Sequence, residues 1–299
     1  MRDALERGLR RPLVSRRTLL VGGGSGAVLA ALAAVGGPML LNGSSKRPGK
    51  LVPELLTARP FYVAHGGGSA DWPEFSLYAY RQAVAEGADA LEVSLARSSD
   101  GVWFGLHDPT LDRTSGTSGF VASEHDWYEI ESLRISTPRM RRLGQEPRPY
   151  LRFEQLVAAY GRTHAIFVDP KTVDSVHHAE LLDMMAALVR HPVESFVAKS
   201  FCTGRSWAQA ARARGLRTWG YYYGAQVQSG ETPPQETQDR WDLLGLDVQA
   251  PDAVWQLFRG LGKPLVGHVV ADRPQAESAL GHGAQGLMVS GLREVLGGA

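Results

Sequence analysis

Five residues of this 299-residue sequence stand at or near the ends of apolar runs and have side chains that do chemistry. His65 closes "FYVAH", Glu92 lies in "ALEVSLA", His107 closes "VWFGLH" and is followed by Asp108, and Asp169 and Lys171 end "HAIFVDPK". Each has an ordinary reading when taken alone. A strand-end histidine is commonly a hydrogen-bonded structural residue, a glutamate in a strand can be a solvated rim residue, and Asp169-Pro170 can be only a turn. Brought to one face, two histidines, two carboxylates and a lysine supply an acid, a base, cation ligands and a phosphate clamp. That is the inventory of metal-assisted phosphoryl chemistry.

Bringing them to one face is the task of the fold. From about Pro60 onward, short β-rich runs alternate with helical patterns such as "FSLYAYRQAVAEG", "YLRFEQLVAAYG" and "HAELLDMMAALVRH". Such alternation means parallel strands joined by crossover helices. Eight units closing on themselves make an α/β (β/α)8 barrel, a TIM barrel, whose chemistry sits at the C-terminal ends of its strands. About nine strand candidates occur. The surplus one is explained by "RSSDG" between "ALEVSLA" and "VWFGLH", because Asp-Gly signals a hairpin embellishing the second strand. A turn centred between Ser99 and Asp100 would set Glu92 opposite His107, and a one-residue slip would undo this. The glycines of "HGGG" after His65 suggest a close approach to the backbone, with amides free to meet a phosphodiester.

The whole-chain numbers exclude some classes. A net charge of +1 gives no reason to expect a nucleic-acid partner. A single cysteine, Cys202, excludes an internal disulfide and reads as a small core residue. The N-terminus is basic through "LERGLRRPLVSRRTLL" and then apolar to about Leu41. Arg16-Arg17 directly before the apolar run reads as a twin-arginine-like export signal, cleaved or kept as a membrane anchor. Residues 1–44 are accordingly expected to be signal or anchor with linker, and 45–299 the barrel. The barrel is placed outside the cytoplasm, secreted or held to the membrane by an uncleaved N-terminal segment.

From about Pro60 to Val295 the sequence resembles the glycerophosphodiester phosphodiesterases. The resemblance is carried by His65 before glycines, Pro73-Glu74, "GADALEVS", Asp100-Gly101, His107-Asp108, "LDRTSG" and "IFVDPK". It implies that His65 and His107 are general acid and base. It implies a divalent cation, Ca2+ or Mg2+, held by Glu92 and Asp169, with Lys171 near the phosphate and Glu74 lining the site. Two positions depart from the pattern. Gly66 stands where the family has an arginine beside the phosphate, and Ser94 where a Glu-x-Asp pair has its aspartate. A hydroxyl is a poor ligand for a hard cation, so a weak metal site is expected. The glycines at 66–68 leave room for a bulkier substrate, with Lys171 or Arg113 taking over the phosphate contact. The implied activity is hydrolysis of glycerophosphodiesters to glycerol 3-phosphate and an alcohol. The alternative is a weakened barrel that binds phosphodiesters or lipid head groups without turnover.

Overall fold

The computed structural model describes residues 46–297, so the export segment expected over residues 1–44 lies outside the described residues. Among the described residues no helix is long and apolar enough to cross a membrane. The strands are β1 (Phe61–Ala64), β2 (Ala90–Arg97), β3 (Trp103–Gly105), β4 (Arg134–Ile135), β5 (Arg148–Pro149), β6 (Ala165–Asp169), β7 (Phe196–Phe201), β8 (Arg217–Tyr222), β9 (Leu243–Asp247), β10 (Leu265–Val270) and β11 (Gly286–Val289). Eight of them are parallel neighbours in the order β1-β11-β10-β9-β8-β7-β6-β2, and a β1–β2 pairing closes the ring. This is the expected (β/α)8 barrel. Most crossover helices fall where the periodicity puts them, among them Leu77–Glu86, Phe153–Tyr160, His178–Leu188, Arg205–Ala213, Asp252–Gly260 and Arg273–Gly281. The polar stretch 228–238 departs from expectation by folding one turn, Pro234–Thr237. Proline at a first helical position has a backbone angle already set for the helix.

Strand parity divides the core in two. Val63, Ala90, Phe167, Val197, Trp219, Leu243, Val266 and Met288 point into the barrel and pack on one another. Their neighbours Leu91, Val93, Ile166, Val168, Ala198, Leu244, Leu246, Leu287 and Val289 point outward under the helices. Strands buried on both faces must be apolar throughout, which is why they read as continuous runs. The same parity carries His65, Glu92, Ser94, Asp169 and Lys199 to the inner face, toward the C-terminal ends of their strands.

The hairpin forms, but its register differs from the expected one. β3 pairs antiparallel with β2 as Leu95↔Gly105, Ala96↔Phe104 and Arg97↔Trp103. The turn is centred on Asp100, with Ser98 N–H donating to Val102 O at 2.9 Å and Gly101 at φ +92°. A loop closed by a left-handed glycine holds one residue more than the two-residue turn assumed from Asp-Gly. The strand also ends at Gly105, so His107 is placed by the loop beyond β3 and not by cross-strand pairing with Glu92.

Candidate active site

His65 follows β1 directly and its backbone turns at once into the glycines. Gly66 has φ +55°, and a side chain at Gly68, where φ is +88°, would meet the Trp72 ring at 2.7 Å. Two of the amides expected to greet a phosphodiester are used internally. Gly66 N–H donates to Glu92 Oε2 at 2.8 Å, and Gly68 N–H to His65 O at 2.9 Å. The glycines are therefore required by left-handed backbone and by close packing on Trp72. The Gly66 amide, read from the sequence as a substrate contact, here anchors Glu92.

His65 and His107 open on one cavity of about 240 Å³, which Ser69, Glu74, Phe75, Asp108 and Arg113 also line. Burial lowers the His65 pKa to about 4 against the pull of Glu92, so the ring is neutral near pH 7. His107 Nδ1 lies 2.9 Å from Asp108 Oδ1. With Asp108 accepting from Nδ1–H, the Nε2 atom is left for the cavity, and a negative charge stands ready for the ring when it holds two protons. Arg113 does not offer a free guanidinium to phosphate. It forms a two-pronged bridge to Glu74 at 2.7 and 3.0 Å and donates from Nε to Asp108 at 2.5 Å. Its role is to hold Asp108, and through Asp108 the His107 ring.

Beneath the cavity lies a row of charge set by strand pairing. Ser94 on β2 is in register with Asp169 on β6. The β6–β7 pairing runs Phe167↔Val197 and Val168↔Ala198, so the next step sets Asp169 beside Lys199. Lys199 Nζ donates to Glu92 Oε1 at 2.6 Å and lies 3.3 Å from Asp169 Oδ2. Ser94 Oγ donates to the same Glu92 Oε1 at 3.2 Å. Lys171 Nζ lies 3.3 Å from Asp169 Oδ2 and also donates to the Tyr221 hydroxyl. Tyr221 in turn stacks on His268, with ring centres 4.6 Å apart.

Lys199 was not singled out from the sequence, although a signal was there: a lysine in the apolar run "FVAKSF", two residues after the inward Val197. Its ammonium is 1% exposed. Removing a cation from water costs several kcal/mol. Two carboxylates within 3.3 Å, each attracting with roughly 4 kcal/mol or more at an effective dielectric near 20, offset that cost. Burial pulls the Lys199 pKa down, but Glu92 and Asp169 outweigh it and raise it. For Glu92, burial pushes upward, but Lys199, His65 and the Gly66 amide bring its pKa down to about 2. The pair is ionised at neutral pH.

These donors do not fit the divalent cation that the resemblance implies. Glu92 accepts from Lys199, Ser94 and Gly66, and Asp169 faces two ammonium groups. Ca2+ and Mg2+ need several free oxygen ligands. Among the described residues no group of three or more His, Cys, Asp or Glu side chains is placed to hold a metal ion. The expected weak cation site at Glu92 and Asp169 is thus replaced by an internal ion-pair cluster.

Buried neutral histidines make stability depend on pH. Burial lowers the pKa of His164 to about 4 and that of His268 well below the ordinary 6.5, as it does for His65. Between pH 6.5 and about 4 the unfolded chain therefore binds protons that the folded one does not. Stability rises with pH across that window and is lost on acidification. His164 alone should contribute on the order of 3 kcal/mol. Melting curves from pH 7.5 to 4.5 should show Tm falling below pH 6.5, and a flat profile would contradict neutral burial.

Comparison with known proteins places this architecture. The model of the glycerophosphoryl diester phosphodiesterase family matches residues 65–217, just over half of the chain. Human glycerophosphodiester phosphodiesterase 1 is 46% identical over 114 residues, which are 36% of this chain and 33% of that protein. The chain spans a third or less of the length of the curated relatives it matches. The crystal structure of a glycerophosphodiester phosphodiesterase from Agrobacterium tumefaciens superposes with a TM-score of 0.61 at 17% identity, covering 79% of this chain and 99% of that one. An Oleispira antarctica phosphodiesterase in complex with the product sn-glycerol-3-phosphate gives 0.62 at 16% identity, covering 79% and 95%. At these identities the two structures bear on the fold, and the matched segment carries His65, Glu92, His107, Asp169 and Lys171. The chain belongs to the glycerophosphoryl diester phosphodiesterase family.

Proposed function

We propose that this protein hydrolyses glycerophosphodiesters to glycerol 3-phosphate and an alcohol by acid–base catalysis between His65 and His107. The observation that carries the reading is the meeting of these two rings on one cavity, above a buried charge cluster. Neutral His65 takes the proton of an attacking hydroxyl, either water or the neighbouring hydroxyl of the substrate glycerol. The new P–O bond forms as the bond to the leaving alcohol breaks, and His107 gives that oxygen its proton. If the substrate hydroxyl attacked first, water then opens the cyclic phosphate with the two roles exchanged. Lys171, with a fifth of its side chain exposed, is the ammonium nearest to solvent for the phosphoryl oxygens. The product bound to the Oleispira relative supports this substrate class. Members of the family generally work with a divalent metal, but the donor set here does not fit one and no step passes through it.

A second reading, a barrel that binds phosphodiesters without cleaving them, is favoured by Ser94, which departs from the metal-binding pattern, and by Lys199, which pairs with both Glu92 and Asp169. One assay separates the two. Purified full-length protein is incubated with glycerophosphocholine, glycerophosphoethanolamine and glycerophosphoinositol, and glycerol 3-phosphate is measured. Product from any of them supports hydrolysis, whereas saturable binding with no product supports the binder.

The same proposal places the barrel outside the cytoplasm, on the strength of Arg16-Arg17 before the apolar run. Arg16→Lys with Arg17→Lys keeps the charge and is expected to abolish export of a reporter fused to residues 1–50. An unchanged reporter signal would remove the twin-arginine reading.

A further inference from the structure

We infer that Lys199 stands in for the divalent cation of this site: its ammonium supplies, from inside the protein, the positive charge that Glu92 and Asp169 would otherwise take from a metal ion. The inference rests on the reading of this site as a phosphodiester-cleaving one, but its main test does not need turnover.

Three observations carry it. The first is position. The resemblance assigns the cation to Glu92 and Asp169, and Lys199 Nζ lies between them, 2.6 Å from one and 3.3 Å from the other. The second is charge balance. Glu92 and Asp169 carry two negative charges, while Lys199 and Lys171 carry two positive ones, so the cluster is neutral as built. A further double charge would have to displace a fully buried lysine. The third is Ser94. At the position where an aspartate would add a third carboxylate, its hydroxyl donates to Glu92 Oε1. An aspartate there, in register with Asp169, would leave two lysines facing three carboxylates. Lysine at 199 and serine at 94 thus compensate each other. One adds a positive charge and the other removes a negative one, as expected if the metal had been exchanged for a side chain.

The ammonium has three donors, is covalently part of the chain and cannot be lost by dilution or chelation. The site should therefore be assembled and charge-neutral in any ionic medium, in contrast to one that must collect calcium or magnesium at low affinity.

Calorimetric titration of the full-length protein with calcium chloride and with magnesium chloride tests this directly. No saturable binding up to about 10 mM is expected, roughly ten times the Kd of the weakest calcium sites. Saturable binding that Glu92→Gln abolishes would overturn the inference. The complementary variant, Ser94→Asp combined with Lys199→Gln, restores the acidic set, and once shown by circular dichroism to be folded it should bind calcium. A folded double variant that binds none would show that Lys199 does not occupy a cation's place. If that variant fails to fold, the wild-type titration still decides. Turnover gives an independent readout: hydrolysis of glycerophosphocholine after treatment with excess chelator should stay within twofold of the untreated rate. A loss of more than tenfold, restored by either cation, would overturn the inference while leaving the hydrolase reading in place. Absence of turnover under every condition would sink the hydrolase reading and leave the binding result standing.

Discussion

His65→Ala and His107→Ala are each expected to lower kcat by about 100-fold or more, the usual loss when a general acid or base is removed. The fold should tolerate both changes. Around position 65 the structural bonds run through the main chain, with Gly68 and Ser69 N–H donating to His65 O at 2.9 and 3.1 Å. The imidazole itself makes a 3.4 Å contact with Ser69 Oγ and packs edge-on against the His268 ring, centres 6.0 Å apart. His107 is about two-fifths exposed and bonds to its neighbour Asp108. Melting temperatures close to wild type would therefore accompany the loss of turnover. The pH profile identifies which ring is the base. With the His65 pKa at about 4, kcat/KM should hold steady as the pH drops through 6.5 and fall only near 4. Wild-type turnover in either variant would refute the assignment, and an acid limb near 6.5 would move the base away from His65.

Glu92→Ala is expected to be the most destabilising single change at the site. It deletes the acceptor of Lys199 Nζ at 2.6 Å and of Gly66 N–H at 2.8 Å, both buried. Of its two carboxylates Lys199 would keep only Asp169, at 3.3 Å and shared with Lys171. Breaking a buried pair from one side costs about 3–5 kcal/mol, because the remaining charge is stranded. In a barrel of this size that corresponds to a fall in Tm of roughly 6–20 °C. Removing both charges should be milder than removing one, since an apolar pair of similar volume strands nothing. Glu92→Leu with Lys199→Met should therefore melt above Glu92→Ala. A double-mutant cycle over these positions measures the coupling. A coupling energy near zero would mean that the two side chains do not form the ion pair. Activity should be lost with Glu92 in any case, because its link to Gly66 fixes the backbone beside His65.

The sequence alone determined the barrel and singled out both histidines as residues that end apolar runs. These are local matters. Apolar runs alternating with helical periods are decided within a few residues, and a strand's period of two assigns each side chain a face without knowledge of its neighbours. His65 and His107 stood out because a titratable ring ends an apolar run. What the tertiary structure decided is non-local, or turns on a single residue. The hairpin register depended on whether the turn counted two residues or three, and an Asp-Gly pair is compatible with both. Arg113 looked like a free cation until the loop fold set Glu74 and Asp108 on either side of it. Lys199 lies 107 residues beyond Glu92 and read as part of an ordinary strand. It became the partner of Glu92 and Asp169 only through the pairing of β2, β6 and β7, which skips the whole segment between Arg97 and Ala165. No local propensity encodes which strands become neighbours. The charge of this site, and with it the conflict with a metal, was settled only when the barrel closed.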